Sequence, residues 1–285
     1  MMWAILSILS GAGDAVAFAS IKKLNQLGTR MILLLRHLVT LPFLLLGFLF
    51  YKIPKVSSGF YLITLANVII FLIAMYLLVK SIRMSDLSVS IPMLNLTPTF
   101  LLLTSYIMLG EAPSVQGVIG IFITIIGCYI VNLRYAKRGY FEPFKMISKN
   151  KEVVYMIIVA FLFSITSNLV KIGIKMSNPA YFIFINYLFA SVILIALFFR
   201  EFENTRLLIK NTKWILTLGV STAIMEMLIA VAVNFSIIPY ILTLKRTSVI
   251  FSVLIGFLFF KEKNVKEAII GAVIMFIGVL LITLS

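Results

Sequence analysis

Lys245 and Arg246 stand side by side near the middle of an otherwise apolar stretch, FSIIPYILTLKRTSVIFSVLIGFLFFKEK, running from Phe235 to Lys263. The stretch is long enough to cross a bilayer. A cation at the bilayer centre costs about 2.5–3.5 kcal/mol on insertion scales, so such side chains turn away from lipid toward partners or water. Two arrangements answer that cost. The pair is held at a helix bend by carbonyls and a buried carboxylate, or it lines a polar path and meets an anionic ligand. Charge-assisted bonds to carboxylate or phosphate are the strong interactions such a pair offers. The expense of the placement favours the second arrangement.

Other groups in apolar surroundings offer matching chemistry. Glu226 lies mid-span, either as a counter-ion for Lys245 or Arg246 or as a carboxylate that carries a proton. Asp14, in the first apolar run, is paired with a cation or sits near the water path. Arg36 is about one and a half turns inside its span, where it either snorkels or joins the site. Tyr187, Asn186 and Tyr240 carry hydrogen-bonding groups for a ligand, although tyrosines also populate interface belts. Lys171 either reaches the cavity or snorkels. His37, the one histidine, reads as a hydrogen-bonded packing residue rather than a proton relay. One His and the single Cys128 leave no metal cluster, no cofactor site and no recognisable catalytic triad, so no enzyme is expected. No nucleotide-binding Gly-x-x-x-x-Gly-Lys-Ser/Thr loop occurs.

The elements that hold these groups follow from composition. The chain of 285 residues is 62% hydrophobic and 12% charged, against roughly 25% charged in soluble domains. It reads as an all-α polytopic membrane protein. Ten spans are expected, near 2–21, 31–51, 59–79, 87–109, 115–133, 153–174, 179–199, 213–235, 237–260 and 267–284. The net charge of +15 lies mostly between spans, where it meets anionic headgroups, so nucleic acid is not an expected partner. Met1-Met2-Trp3 carries no cationic start, so no cleavable leader is expected.

The chain divides into two halves, 1–133 and 153–285, about a basic linker loop at 134–152. Shifting one half onto the other puts Glu111 on Glu262, Gly120 on Gly271 and Gly127 on Gly278. Five spans per half make the second repeat inverted relative to the first, a recurring plan of secondary transporters. In the same register Asn95 falls on Arg246, and the two are expected to face each other across the pseudo-symmetry axis. Pro92 and Pro98 each remove a helical hydrogen bond, so the fourth span should bend or break, for gating or for packing alone. The glycine pairs of the fifth and tenth spans, each seven residues apart, put both glycines on one face and suit a tight helix crossing.

The Pro-rich fourth span ending in Leu109-Gly110-Glu111, and Leu244-Lys245-Arg246-Thr247-Ser248 ending in Phe260-Lys261-Glu262, resemble the drug/metabolite transporter superfamily. Within it the chain looks like the EamA-like transporters over its whole length. The Lys245-Arg246 pair also resembles that of plastid sugar-phosphate translocators, where it contacts phosphate. The resemblance implies a secondary transporter working by alternating access. Its expected cargo is a small polar or anionic metabolite such as an amino acid or organic anion, moved outward and driven by protons or exchange. The alternative is a flippase for a phosphate-bearing amphiphile. Substrate binding falls to Lys245, Arg246, Asn95, Glu226, Tyr240 and Arg36, coupling or counter-charge to Asp14 and Glu226, and gating to Pro92 and Pro98. A monomer or homodimer in a prokaryotic cytoplasmic membrane is expected. Orientation is contested: Lys22, Lys23, Arg134, Lys137, Arg138 and most other loop cations share one face, which places both termini outside. The resemblance implies termini in the cytoplasm.

Overall fold

Apolar runs of this length leave backbone N–H and C=O groups with no partner in lipid, so they must close their hydrogen bonds internally. A computed structural model describes residues 2–24, 26–84, 94, 96–133, 151–198, 205–251, 254–255 and 266–285. They form α1 (Met2–Lys23), α2 (Thr29–Leu44) with a 3-10 extension (Leu45–Leu49), α3 (Ser58–Met84), α4 (Thr97–Leu109) and α5 (Val115–Leu133). After the linker come α6 (Lys151–Lys175), α7 (Pro179–Phe198), the short α8 (Thr205–Lys210), α9 (Thr212–Ala232), α10 (Ile238–Lys245) and α11 (Lys266–Thr283). No strand occurs among the described residues.

Six of these helices are long and apolar enough to cross a membrane: α1, α2 with its extension, α3, α6, α7 and α9. The apolar parts of α4, α5 and α11 are shorter. The outer surface is apolar, with Leu62 and Ile107 each 70% exposed, while Ser10, Thr40, Asn168 and Thr222 are fully buried. This is the reverse of a soluble domain and suits a lipid solvent.

Helix neighbours are set by small residues and local caps. A Cβ on Gly120 would sit 2.8 Å from the Gly278 carbonyl oxygen, and one on Gly127 would sit 2.7 Å from that of Gly271. The α5–α11 crossing is therefore backbone against backbone, as the seven-residue spacing predicts. Gly11 brings α1 against the end of α10, where a Cβ would lie 2.9 Å from the Lys245 carbonyl oxygen. Gly13 brings the same helix against Ser221 and Met225 of α9. At the start of α7, Asn178 Oδ1 accepts the Tyr181 N–H at 2.9 Å, and Pro179 follows as the first helical residue. This is an N-cap with proline where its missing N–H costs nothing.

The proline-bearing fourth span and the cation-bearing ninth span both depart from a single straight helix. Among the described residues the ninth span is interrupted: α10 ends at Lys245, Arg246 and Thr247 form a turn, and helix resumes at Ser248. After Lys245 it tightens, with Arg246 and Thr247 N–H bonded three residues back at 3.1 and 3.0 Å, and Val249 and Ile250 likewise at 3.0 and 2.9 Å. The geometry is 3-10, which narrows the helix where the cations sit. Pro98 lies in the first turn of α4, just after a turn at Leu96 that follows helical Leu94, and its absent donor is harmless there. Pro92 lies outside the described residues.

Candidate functional site

The bundle interior is built where α2, α7 and α9 meet. Tyr187, on α7, donates its hydroxyl to Glu226 Oε1 on α9 at 3.0 Å. Arg36, on α2, lies beside the same phenol and feels the charge of Glu226. His37 is buried next to it, its Nδ1–H donated to the Leu33 carbonyl at 2.8 Å and its ring 5.0 Å from that of Tyr187. His37 is thus a packing residue with one nitrogen committed to backbone. Glu226 accepts the Tyr187 hydroxyl and acts electrostatically on Arg36; no ion pair joins it to Lys245 or Arg246 among the described residues.

Polar atoms around this cluster are left with capacity. Arg36 Nε, Asn186 Nδ2, Ser191 Oγ and Thr222 Oγ1 are buried and have no hydrogen-bond partner. Ser191 is four residues after Tyr187, and Thr222 four before Glu226, so each shares a helix face with its neighbour. Unpaired buried donors and acceptors cost about 1–3 kcal/mol each, a cost that a polar ligand relieves.

Asp14 links this cluster to the second cation. It acts electrostatically on both Arg36 and Arg246, although it makes no ion pair with either. The Arg246 guanidinium sits at the 3-10 turn and donates to the Leu94 carbonyl at 3.4 Å, while its own carbonyl faces Cys128 Sγ at 4.0 Å. Asn95, the expected partner of Arg246, lies outside the described residues. Lys245 is partly buried, and its ammonium makes no ion pair among the described residues. Two arginines and two carboxylates thus share one interior region. The arrangement can hold a carboxylate or phosphate against guanidinium groups and balance it with acids close by.

Tyr240 is not with this group. Its hydroxyl accepts the Ser114 N–H at 3.0 Å and its ring stacks on Trp3 at 6.1 Å, which ties α10 to the α4–α5 turn and to α1. Lys171 forms a buried ion pair with Glu111 and donates to the Ser236 carbonyl at 2.6 Å. Glu111 also accepts the Ile238 N–H at 2.9 Å. Gly110, with φ of 68°, turns the chain so that Glu111 folds back under α4. On α6 and α4, Asn168 joins Thr104 at 3.0 Å and Ser105 at 2.7 Å. Sequence reasoning missed Asn67, Ser191, Thr222 and the Glu111–Lys171 pair. The signal for Ser191 and Thr222 was the four-residue spacing from Tyr187 and Glu226.

A helical membrane bundle with charged groups held inside it belongs to the class of polytopic membrane proteins. The family model of the EamA-like transporter family matches residues 1–133 and 150–284. The chain belongs to that family, and so to the membrane transporters of the drug/metabolite type. A search of curated proteins finds no match. Among solved structures, one described as "Crystal structure of protein" aligns with a TM-score of 0.77 at 13% identity, covering 99% of this chain and 96% of that one. At that identity the likeness is one of fold.

Proposed function

We propose that the chain is a secondary active exporter of a small polar or anionic metabolite such as an amino acid or organic anion. It works by alternating access between two inverted five-helix repeats, residues 1–133 and 153–285, in a prokaryotic cytoplasmic membrane. The helix neighbours support the repeat. Exchanging the halves turns the α1–α9 contact into α6–α3, α2–α9 into α7–α3, and α4–α6 into α10–α1. The α2–α7 and α5–α11 contacts map onto themselves.

The observation that carries the reading is the Arg36–Tyr187–Glu226 cluster, with Asp14 acting on both Arg36 and Arg246. Arg36 and Arg246 take the anionic group of the substrate. Glu226 and Asp14 offset the arginine charges when the site is empty and answer a substrate amine or a coupling proton. A thermal-shift screen of purified protein with anionic, zwitterionic and cationic metabolites tests this, run on wild type, Arg36→Gln and Arg246→Ala. A true ligand at a hundredfold excess stabilises by about 2.7 kcal/mol. The expected result is a shift with carboxylate-bearing compounds that both variants lose. Shifts only with cations, retained in both variants, overturn the reading.

A further inference from the structure

We infer that the groove between α1 and α9 is a binding site for one acyl chain of an anionic phospholipid, whose phosphate is held by Lys213. The groove has a volume of about 610 Å³ and opens on the outer face of the bundle. Its α9 wall is a single helical face, Leu216, Thr217, Val220 and Ile224, with Lys213 at its end. Its α1 wall is low, because Ala12 and Gly13 have almost no side chain to fill it.

Three features fit this occupant. From Lys213 to Ile224 is eleven residues, about 16 Å of helix, and one leaflet of hydrocarbon is about 15 Å deep. The groove therefore runs from the membrane surface to mid-bilayer, the reach of one acyl chain. Its outer end is marked as interfacial by Trp214, whose ring lies between two ammonium groups, Lys23 at 5.8 Å and Lys213 at 5.7 Å. Tryptophan settles at headgroup level. The charge at that end is positive: Lys213 is exposed, and so is Lys210, three residues earlier at the end of α8. The start of α9 adds the positive end of a helix dipole. An apolar trough one leaflet deep with cations only at its mouth selects an anionic headgroup over a zwitterionic one.

Native mass spectrometry of the detergent-purified full chain tests the site, with phosphatidylglycerol and phosphatidylcholine of identical chains as probes. Wild type should retain one phosphatidylglycerol in clear preference to phosphatidylcholine. Lys213→Gln should weaken that preference about fivefold, the effect of one lysine at an anionic surface. Val220→Trp, which fills the trough from its lipid-facing wall, should remove the bound lipid, with Thr217→Phe as a second filler should the first fail to elute as a single species. Equal retention of the two lipids by wild type, an unchanged preference in Lys213→Gln, or lipid still bound in the filled-groove variants each overturns the site.

Discussion

Tyr187 and Glu226 are joined by a 3.0 Å hydrogen bond between α7 and α9, with Arg36 beside the phenol. One hydroxyl thus orients a carboxylate in the bundle interior and fixes which cation it answers. Tyr187→Phe keeps the ring and its contact with His37 but removes that donor. A hydrogen bond to a charged group contributes about 1.5–3 kcal/mol. The variant should fold, unfold at correspondingly lower denaturant, and bind the anionic substrate proposed above more weakly. Chemical denaturation in parallel with ligand titration reads both.

The pairing of Glu226 with Arg36 predicts non-additivity. Glu226→Gln and Arg36→Gln should couple by about 0.5–3 kcal/mol in a double-mutant cycle, as residues sharing one network do. Glu226→Gln with Arg246→Gln should couple more weakly, since only Asp14, acting on Arg36 and Arg246, connects them. Stronger coupling in the second cycle would restore Arg246 as the partner of Glu226.

Where α4, α6 and α10 meet, Lys171→Met strands the Glu111 carboxylate in a buried position. Breaking one side of a buried pair costs about 3–5 kcal/mol. Lys171→Met combined with Glu111→Gln should regain most of that loss, because the amide oxygen still accepts the Ile238 N–H and no charge is left unanswered. Melting curves of the two variants decide it. A double variant no better than the single one would show that the pair acts through something other than charge.

Gly110 is open on all sides, with nothing within 4 Å of an added Cβ, yet its φ is 68°. Gly110→Ala therefore costs only the left-handed penalty, about 1–2 kcal/mol. Asparagine, which tolerates that conformation, should cost less. An equal loss in both variants would place the effect elsewhere than in the backbone angle.

Gly127 is the opposite case. An added Cβ would sit 2.6 Å from the Met275 nitrogen and 2.7 Å from the Gly271 carbonyl oxygen, and backbone cannot give way as a side chain does. Gly127→Ala should lower stability by about 1–3 kcal/mol, the cost of overpacking. The yield of folded protein and its melting temperature report it. A neutral result would mean that α5 and α11 can part without loss.

Six of the expected spans, those of α1, α2, α3, α6, α7 and α9, were legible in the sequence because lipid leaves the backbone no partner outside its own helix. The glycine faces of α5 and α11 were legible too, since glycines seven apart return to one face, but not that the two helices cross each other. Asp14, Arg36, Glu226, Lys245 and Arg246 stood out because charge in an apolar run is expensive. The partners of those groups were not legible. Glu226 lies closer in sequence to Lys245 than to Tyr187 or Arg36, yet it is Tyr187 that it meets and Arg36 whose charge it acts on. Which helix faces touch is decided by small residues and cross-helix hydrogen bonds between distant segments. Lys171 shows the same limit: its span position allowed snorkelling, and only the left-handed turn at Gly110 brings Glu111 to it. The 3-10 turn at Arg246 also belongs to the tertiary structure, because α1 presses Gly11 against it and no residue of the turn itself forbids a regular helix.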